Sequence, residues 1–221
     1  MGSRGWKAIS VAGGVLIVAT AIGFYIGGWA TSGPASFTPA SQSSRSVNLT
    51  IQTVAAIGPK LSPNPSWVSY LIRDNSNQWR RTTVWKLPAH ALVHVTLYNF
   101  DGASGLRNPF LGAPQGLVGS ERVDGKVLTA MPPDQPSHTF AVPELGILVP
   151  IAPVADDAKH PCDVAPCQLS SDHRTITFTF RTGKPGHYRW QCFVPCAAGW
   201  LYGFGGPMQS LGYMDGFVNV V

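Results

Sequence analysis

Residues 8–30, AISVAGGVLIVATAIGFYIGGWA, carry no charged side chain, and a run of about twenty apolar residues is long enough to cross the hydrocarbon core of a bilayer as a helix. A chain that opens this way is divided by its solvent, and the remainder folds at a membrane surface. Arg4 and Lys7 precede the run and the next charged residue is Arg45. The positive-inside rule therefore predicts a single-pass protein of the cell membrane, with a cytoplasmic N-terminus and an extracytoplasmic C-terminal domain. A signal peptide ending near Ala30 is the competing reading, but its apolar region would exceed the usual length of about 7–15 residues. Gly23 and Gly27, extended backwards by Ala19, form a small-xxx-small pair that lets another helix approach closely, although such pairs also arise by chance.

Residues 31–46, TSGPASFTPASQSSRS, read as a polar linker. The domain proper is expected over residues 47–221. Gly at 24 and Pro at 19, without a repeating period, argue against collagen and against a helical bundle. A hydrophobic content of 44% against 12% charge excludes disorder. The net charge of +5 is spread over isolated Lys and Arg residues rather than a cluster, so no nucleic-acid partner is expected. Period-two or short apolar runs mark candidate strands near residues 47–57, 67–72, 92–100, 138–142, 175–180, 187–193 and 216–221. With no convincing helix after the first, the pattern predicts an all-β sandwich or barrel, taken as antiparallel. Two loops rich in Gly, Pro and Asp interrupt it, near residues 103–137 and 150–172, each too long for an ordinary hairpin connection.

The chain has 4 cysteines. Cys162 and Cys167 lie in the second long loop between Pro161 and Pro166, where a local disulfide is the expected pairing, since no histidine or acidic run completes a zinc-like tetrad. Cys192 and Cys196 end a strand, in HYRWQCFVPC, ahead of a Gly-rich loop that contains Met208 and Met214.

These residues carry a resemblance. Residues 138–147, HTFAVPELGI, resemble the first metal-ligand segment of cytochrome c oxidase subunit II. The later segments GHYRWQCFVPC and GYMDGFVNVV are similar to the closing half of cupredoxins, with a ligand Cys, a loop and a Met before the last strand. The likeness covers most of residues 85–221 in order, including LPAHALVHVTLYNFDG, while the two inserted loops have no counterpart. It implies a cupredoxin-like Greek-key β-sandwich on one N-terminal transmembrane helix. It further implies a subunit of a respiratory electron-transfer complex, non-catalytic in itself, whose partners are integral membrane subunits, membrane lipid and a redox partner protein.

The resemblance also implies copper. His138, Cys192 and Met214 fall where three cupredoxin ligands belong, and Cys196 matches the second bridging thiolate of a binuclear CuA centre. A soft thiolate, imidazole and a weak thioether are the donors such sites use. This chain departs from the pattern at the second imidazole. Counting forward from Cys196 places Trp200 there, counting back from Met214 places Leu211, and the mononuclear spacing after Cys192 gives Pro195. The last histidine, His187, lies an odd number of residues before Cys192 and should face away. The expectation is therefore a degenerate or absent CuA centre. Either an altered copper site is built from His138, Cys192, Cys196 and Met214, or the fold is copper-free, with the cysteines as a disulfide or buried thiols. A freestanding membrane-anchored copper-binding or copper-delivery protein is the alternative function.

Other constellations are weaker. His90 and His94 share a face in a strand but read as core or surface residues. Asp156, Asp157, Lys159 and His160 resemble a solvated loop tip, and no nucleophile elbow or phosphate-binding loop is present. Trp200, Tyr202, Phe204 and Tyr213 are expected to form an exposed apolar cap at the end where cupredoxins dock a partner.

Overall fold

In Leu92–Asn99 every second side chain, Val93, Val95, Leu97 and Asn99, is buried while the intervening ones are not, which is the signature of a strand with one face against a core. The same logic organises the whole domain. The computed structural model describes residues 3–24, 27, 35–43, 45–61, 66–196 and 206–221, and divides into two units, Met1–Ala35 and Ser36–Val221.

The first unit holds helix α1, Ser3–Phe24. Among the described residues no helix is long and apolar enough to cross a membrane. Residues 25, 26 and 28–30 of the expected span lie outside the described residues. Val11, Val15, Leu16, Ile17 and Ile22 of α1 are exposed, and the Thr20 hydroxyl donates to the Leu16 carbonyl at 2.8 Å.

The second unit is a two-sheet β-sandwich, with strands numbered along the chain. One sheet runs in the order β1 (Ser36–Phe37), β6 (Val84–Leu87), β14 (Asp215–Val220), β13 (Gly186–Gln191), β10 (His138–Val142) and β11 (Ile147–Ile151). The other runs β5 (Trp79–Arg80), β4 (Ser69–Arg73), β3 (Ser46–Val54), β7 (Leu92–Asn99), β12 (Arg174–Arg181), β8 (Arg122–Val123) and β9 (Lys126–Val127). β2 (Ser41–Ser43) pairs with β3. The polar stretch read as a linker thus supplies β1 and β2.

The sheets are mixed, which corrects the antiparallel expectation. β3 pairs with β7 in parallel, as do β1 with β6 and β6 with β14. The reason is connectivity: between β3 and β7 the chain crosses to the other sheet at β6, and a strand that returns after such an excursion can run in the same direction.

Aromatic side chains fill the space between the sheets. Trp85 stacks on Trp190 with centroids 5.0 Å apart, and Phe140 lies 5.4 Å from Trp190 and 5.8 Å from Phe178. Full burial of side chains this size stabilises the fold by roughly 1.5–3 kcal/mol each. Gly216 makes the packing of β14 possible, because a Cβ there would collide with the Thr83 carbonyl oxygen and stand 2.6 Å from Trp190 Nε1. That carbonyl instead accepts the Trp190 indole N–H at 2.9 Å.

Both insertions are ordered. Residues 103–137 contain a 3-10 turn, Pro109–Gly112, whose first turn is capped by the Asn108 side chain accepting from Phe110 N–H, followed by the β8–β9 hairpin that extends the second sheet along β12. The loop after β11 folds over the outer face of the second sheet. It buries Ala165 and Cys167 against Val54, Ile57, Leu71, Phe100 and Tyr213, a second apolar cluster apart from the main core. Cys167 N–H donates to Gln52 Oε1 at 2.9 Å and Ala165 N–H to the Ala56 carbonyl at 2.9 Å. Cys162 and Cys167 form the expected disulfide. A loop this short gives a chain-entropy contribution of about 2 kcal/mol, so the Cys162→Ser, Cys167→Ser double variant should unfold at lower urea by that amount. Equal midpoints would show that the loop's packing alone holds the cover in place.

Candidate metal centre

β10 begins at His138, and β13 ends one residue before Cys192. The antiparallel pairing of these strands, at Ala141 with Gln191, brings the first residue of one beside the residue that leaves the other. The chain then turns back, with Cys196 N–H donating to the Val194 carbonyl at 2.8 Å. As a result one donor atom from each of His138, Cys192 and Cys196 lies within 4.8 Å of the others. His138 Nδ1 is 2.9 Å from Cys196 Sγ, and the two sulfurs are 3.6 Å apart.

The surroundings hold these atoms in place. His138 and Cys192 are buried, while Cys196 is partly exposed. Thr139 N–H donates to Cys192 Sγ at 3.3 Å, and the Thr139 hydroxyl oxygen accepts from Phe193 N–H at 2.7 Å. Tyr70 donates its hydroxyl to the Thr139 carbonyl at 3.0 Å and sets its ring edge-on to the imidazole, with centroids 6.4 Å apart. His138 Nε2 lies 3.1 Å from Asp101 Oδ2. Met214 is fully buried in the core, and its carbonyl accepts Cys192 N–H at 3.0 Å.

The arrangement sets the electrostatics of the trio. Burial disfavours the charged imidazole, but the Asp101 hydrogen bond and the neighbouring Cys192 sulfur outweigh it and push the pKa of His138 up to about 9. Burial likewise opposes ionisation of Cys192, yet hydrogen bonds from Cys196 and His138 hold its thiol well below the ordinary range. Cys196 moves the other way, because a proton on its sulfur is kept by the bond to Cys192 and by burial. The trio thus stores protons that a soft cation could displace.

The remaining sequence candidates lie elsewhere. His187 Nδ1 meets Asn219 Oδ1 at 2.8 Å on the exposed side of the β13–β14 pair, facing away as expected. His94 meets the Thr179 hydroxyl at 2.9 Å, whereas His90 sits in a turn with φ of 54°, so the two form no pair. Lys159 and His160 donate their backbone N–H groups to Asp172 Oδ2, each at 2.8 Å, which closes their loop. Of the expected apolar cap, Trp200, Tyr202 and Phe204 lie outside the described residues. Tyr213 is not part of an exposed cap: it is buried against Trp67, with centroids 5.1 Å apart, and Arg81 covers its ring at 4.7 Å. It closes the second apolar cluster instead. Sequence reasoning did not find Asp101, Thr139 or Tyr70. Asp101 and Thr139 lie within segments already singled out, but only the three-dimensional pairing shows what they touch.

Two facing sheets with parallel β3–β7 and β6–β14 pairs carry one histidine and two cysteines to one place at the strand ends. The sandwich thus gathers its three soft donors at one end of two mixed sheets. No protein-family model matches the chain, and no curated protein matches it. Among solved structures the chain is similar to reduced rusticyanin at 17% identity, covering 86% of this chain and 87% of that one with a TM-score of 0.36. It is similar to rusticyanin from Thiobacillus ferrooxidans at 14% identity, with 86% and 85% covered and a TM-score of 0.34. A chain of a heme-copper terminal oxidase dimer matches at 11% identity over 99% of both chains, with a TM-score of 0.33.

Two sulfurs and one imidazole nitrogen within 4.8 Å are a donor set that fits copper(I), which accepts two or three soft ligands. Of the sequence positions at which a second imidazole was sought, Pro195 and Leu211 fall within the described residues and neither bears a donor.

Proposed function

We propose that this chain is a membrane-anchored, subunit-II-like cupredoxin of a respiratory complex, in which His138, Cys192 and Cys196 hold copper as Cu(I) and the CuA centre is degenerate. The observation that carries this reading is the convergence of one imidazole and two sulfurs without a second imidazole. Bound copper would supply a soft cation that replaces the protons now shared among these groups. The protein's own residues do the rest: Thr139 N–H and the core fix Cys192, and the Cys192–Cys196 turn fixes the second sulfur. Cu(II) is disfavoured because it prefers further nitrogen or oxygen donors, so the subunit acts chiefly as a scaffold. The uncharged run 8–30 with Arg4 and Lys7 before it supports the anchor and the extracytoplasmic placement of the sandwich. Met214 is the fourth candidate donor by the sequence pattern, and its backbone carbonyl accepts Cys192 N–H.

Purification in mild detergent with metal analysis tests the reading. The chain should migrate with haem-containing polypeptides, hold up to one Cu(I), show no intense band near 600 nm and give no CuA paramagnetic signal. An intense blue or purple colour lost in His138→Ala would show a complete electron-transfer centre. Migration apart from any haem polypeptide, with Cu(I) bound, would instead favour a freestanding copper-delivery protein, a reading that the same donor set supports.

A further inference from the structure

We propose that Asp101 is the positioning residue of the centre, fixing the imidazole of His138 so that Nε2 carries the proton and Nδ1 faces the two sulfurs; this rests on the copper reading above for its effect on binding, though not for its effect on the imidazole.

The geometry points to Asp101 because its carboxylate has little freedom to do anything else. It lies just after β7, where Oδ1 accepts Gly102 N–H at 2.8 Å and leaves Oδ2 for His138 Nε2 at 3.1 Å. Its backbone is pinned on both sides. Asp101 N–H donates to Asn99 Oδ1 at 3.2 Å, the Asn99 amide donates to the Asp101 carbonyl at 2.9 Å, and Val154 N–H donates to the same carbonyl at 2.9 Å. Asn99 is itself buried and tied to Ala152 at 2.8 Å and to the Thr53 hydroxyl. An imidazole whose Nε2–H is engaged by a fixed carboxylate aims Nδ1 at whatever lies opposite, here Cys196 Sγ at 2.9 Å, so that Nδ1 is the nitrogen left to a cation once its own proton is displaced. Outer hydrogen-bond partners of this kind set both the orientation and the basicity of a ligating imidazole, and their loss typically weakens metal binding about 10–100-fold.

The test uses the full chain in detergent with Cu(I) alone as the probe, under a competing Cu(I) chelator, alongside proton–nitrogen magnetic resonance of the His138 ring. In the metal-free protein the Nε2–H resonance should exchange slowly with solvent. In Asp101→Ala it should exchange too fast to observe, and Cu(I) affinity should fall about 10–100-fold. Asp101→Asn keeps an acceptor oxygen at the same place and should restore the slow resonance and most of the affinity. An unchanged melting temperature in both variants separates positioning from general damage. A slow Nε2–H resonance and unaltered Cu(I) affinity in Asp101→Ala would overturn the proposal. If the unmodified chain takes up no Cu(I), the copper reading fails by itself, and the ring resonance of the metal-free protein still decides the role of Asp101.

Discussion

Replacing Glu121 with glutamine should stabilise the domain by roughly 3–5 kcal/mol at pH 8 and above, and by nothing measurable near pH 4. Glu121 is 0% exposed and neither carboxylate oxygen has a hydrogen-bond partner. It precedes β8, whose Val123 pairs with Ile176 of β12 and packs against the core, so alternation turns Glu121 to the same inward face. Burial alone pushes its carboxyl from 4.5 up to about 8. The folded chain therefore holds this proton more tightly than the unfolded one does. The group is least harmful below pH 4.5, stability falls as pH rises through the interval up to about 8, and above that the loss is complete. One pH unit across this window corresponds to about 1.4 kcal/mol, which bounds the total. Urea unfolding of Glu121→Gln and the unmodified domain at a series of pH values should give curves that meet at low pH and diverge towards pH 8. Parallel curves would mean that the carboxylate finds a partner or solvent in solution.

Oxidation by a small-molecule disulfide should abolish Cu(I) binding outright. Cys196 is the partly exposed sulfur, and Cys192 lies beside it at 3.6 Å. Exchange first links Cys196 to half of the reagent and releases one reagent thiol. The Cys192 thiolate then attacks the Cys196 sulfur, expels the second reagent thiol and closes an S–S bond of about 2.05 Å. The chain loses two hydrogens and both free thiols, and neither sulfur retains the charge a soft cation needs. Mass spectrometry, a thiol count and chelator competition on the same sample track all three. Undiminished Cu(I) affinity with the Cys192–Cys196 bond formed would remove both sulfurs from the site. Added reductant should restore binding.

The strands that alternate, such as Leu92–Asn99 and Arg174–Arg181, were legible because one face meets the core. β11, ILVPI, was not: every residue in it is buried, so there is no alternation to read, and Pro150 argues against a strand. The sheet accepts it because β11 lies at the edge, where the missing N–H leaves no ladder bond unmade. His138, Cys192 and Cys196 could be picked out as a group from short-range spacing and resemblance. Asp101 lies 37 residues before His138 in a turn that reads as an ordinary connection, and only the packing of β7 near β10 joins them. Glu121 was invisible for the opposite reason: an acidic residue in a long polar loop reads as solvated, and nothing local announces that the loop adds a strand to the sheet. Tyr213 was misjudged because a Gly-aromatic segment does not reveal which of its rings the second apolar cluster takes in.

The sequence distance within the centre sets an order of events during biogenesis. Cys196 lies 58 residues from His138, and the two meet only after β10 and β13 have paired and the parallel β6–β14 ladder has been laid down beside them. Contacts of such range form late, in domains of this topology on the millisecond-to-second scale. A nascent chain can offer a cation only the two nearby thiols, without the imidazole or the carboxylate behind it. On the copper reading proposed above, the metal would not template this domain as zinc templates a finger; maturation would run from folding, through keeping Cys192 and Cys196 reduced, to metal loading last.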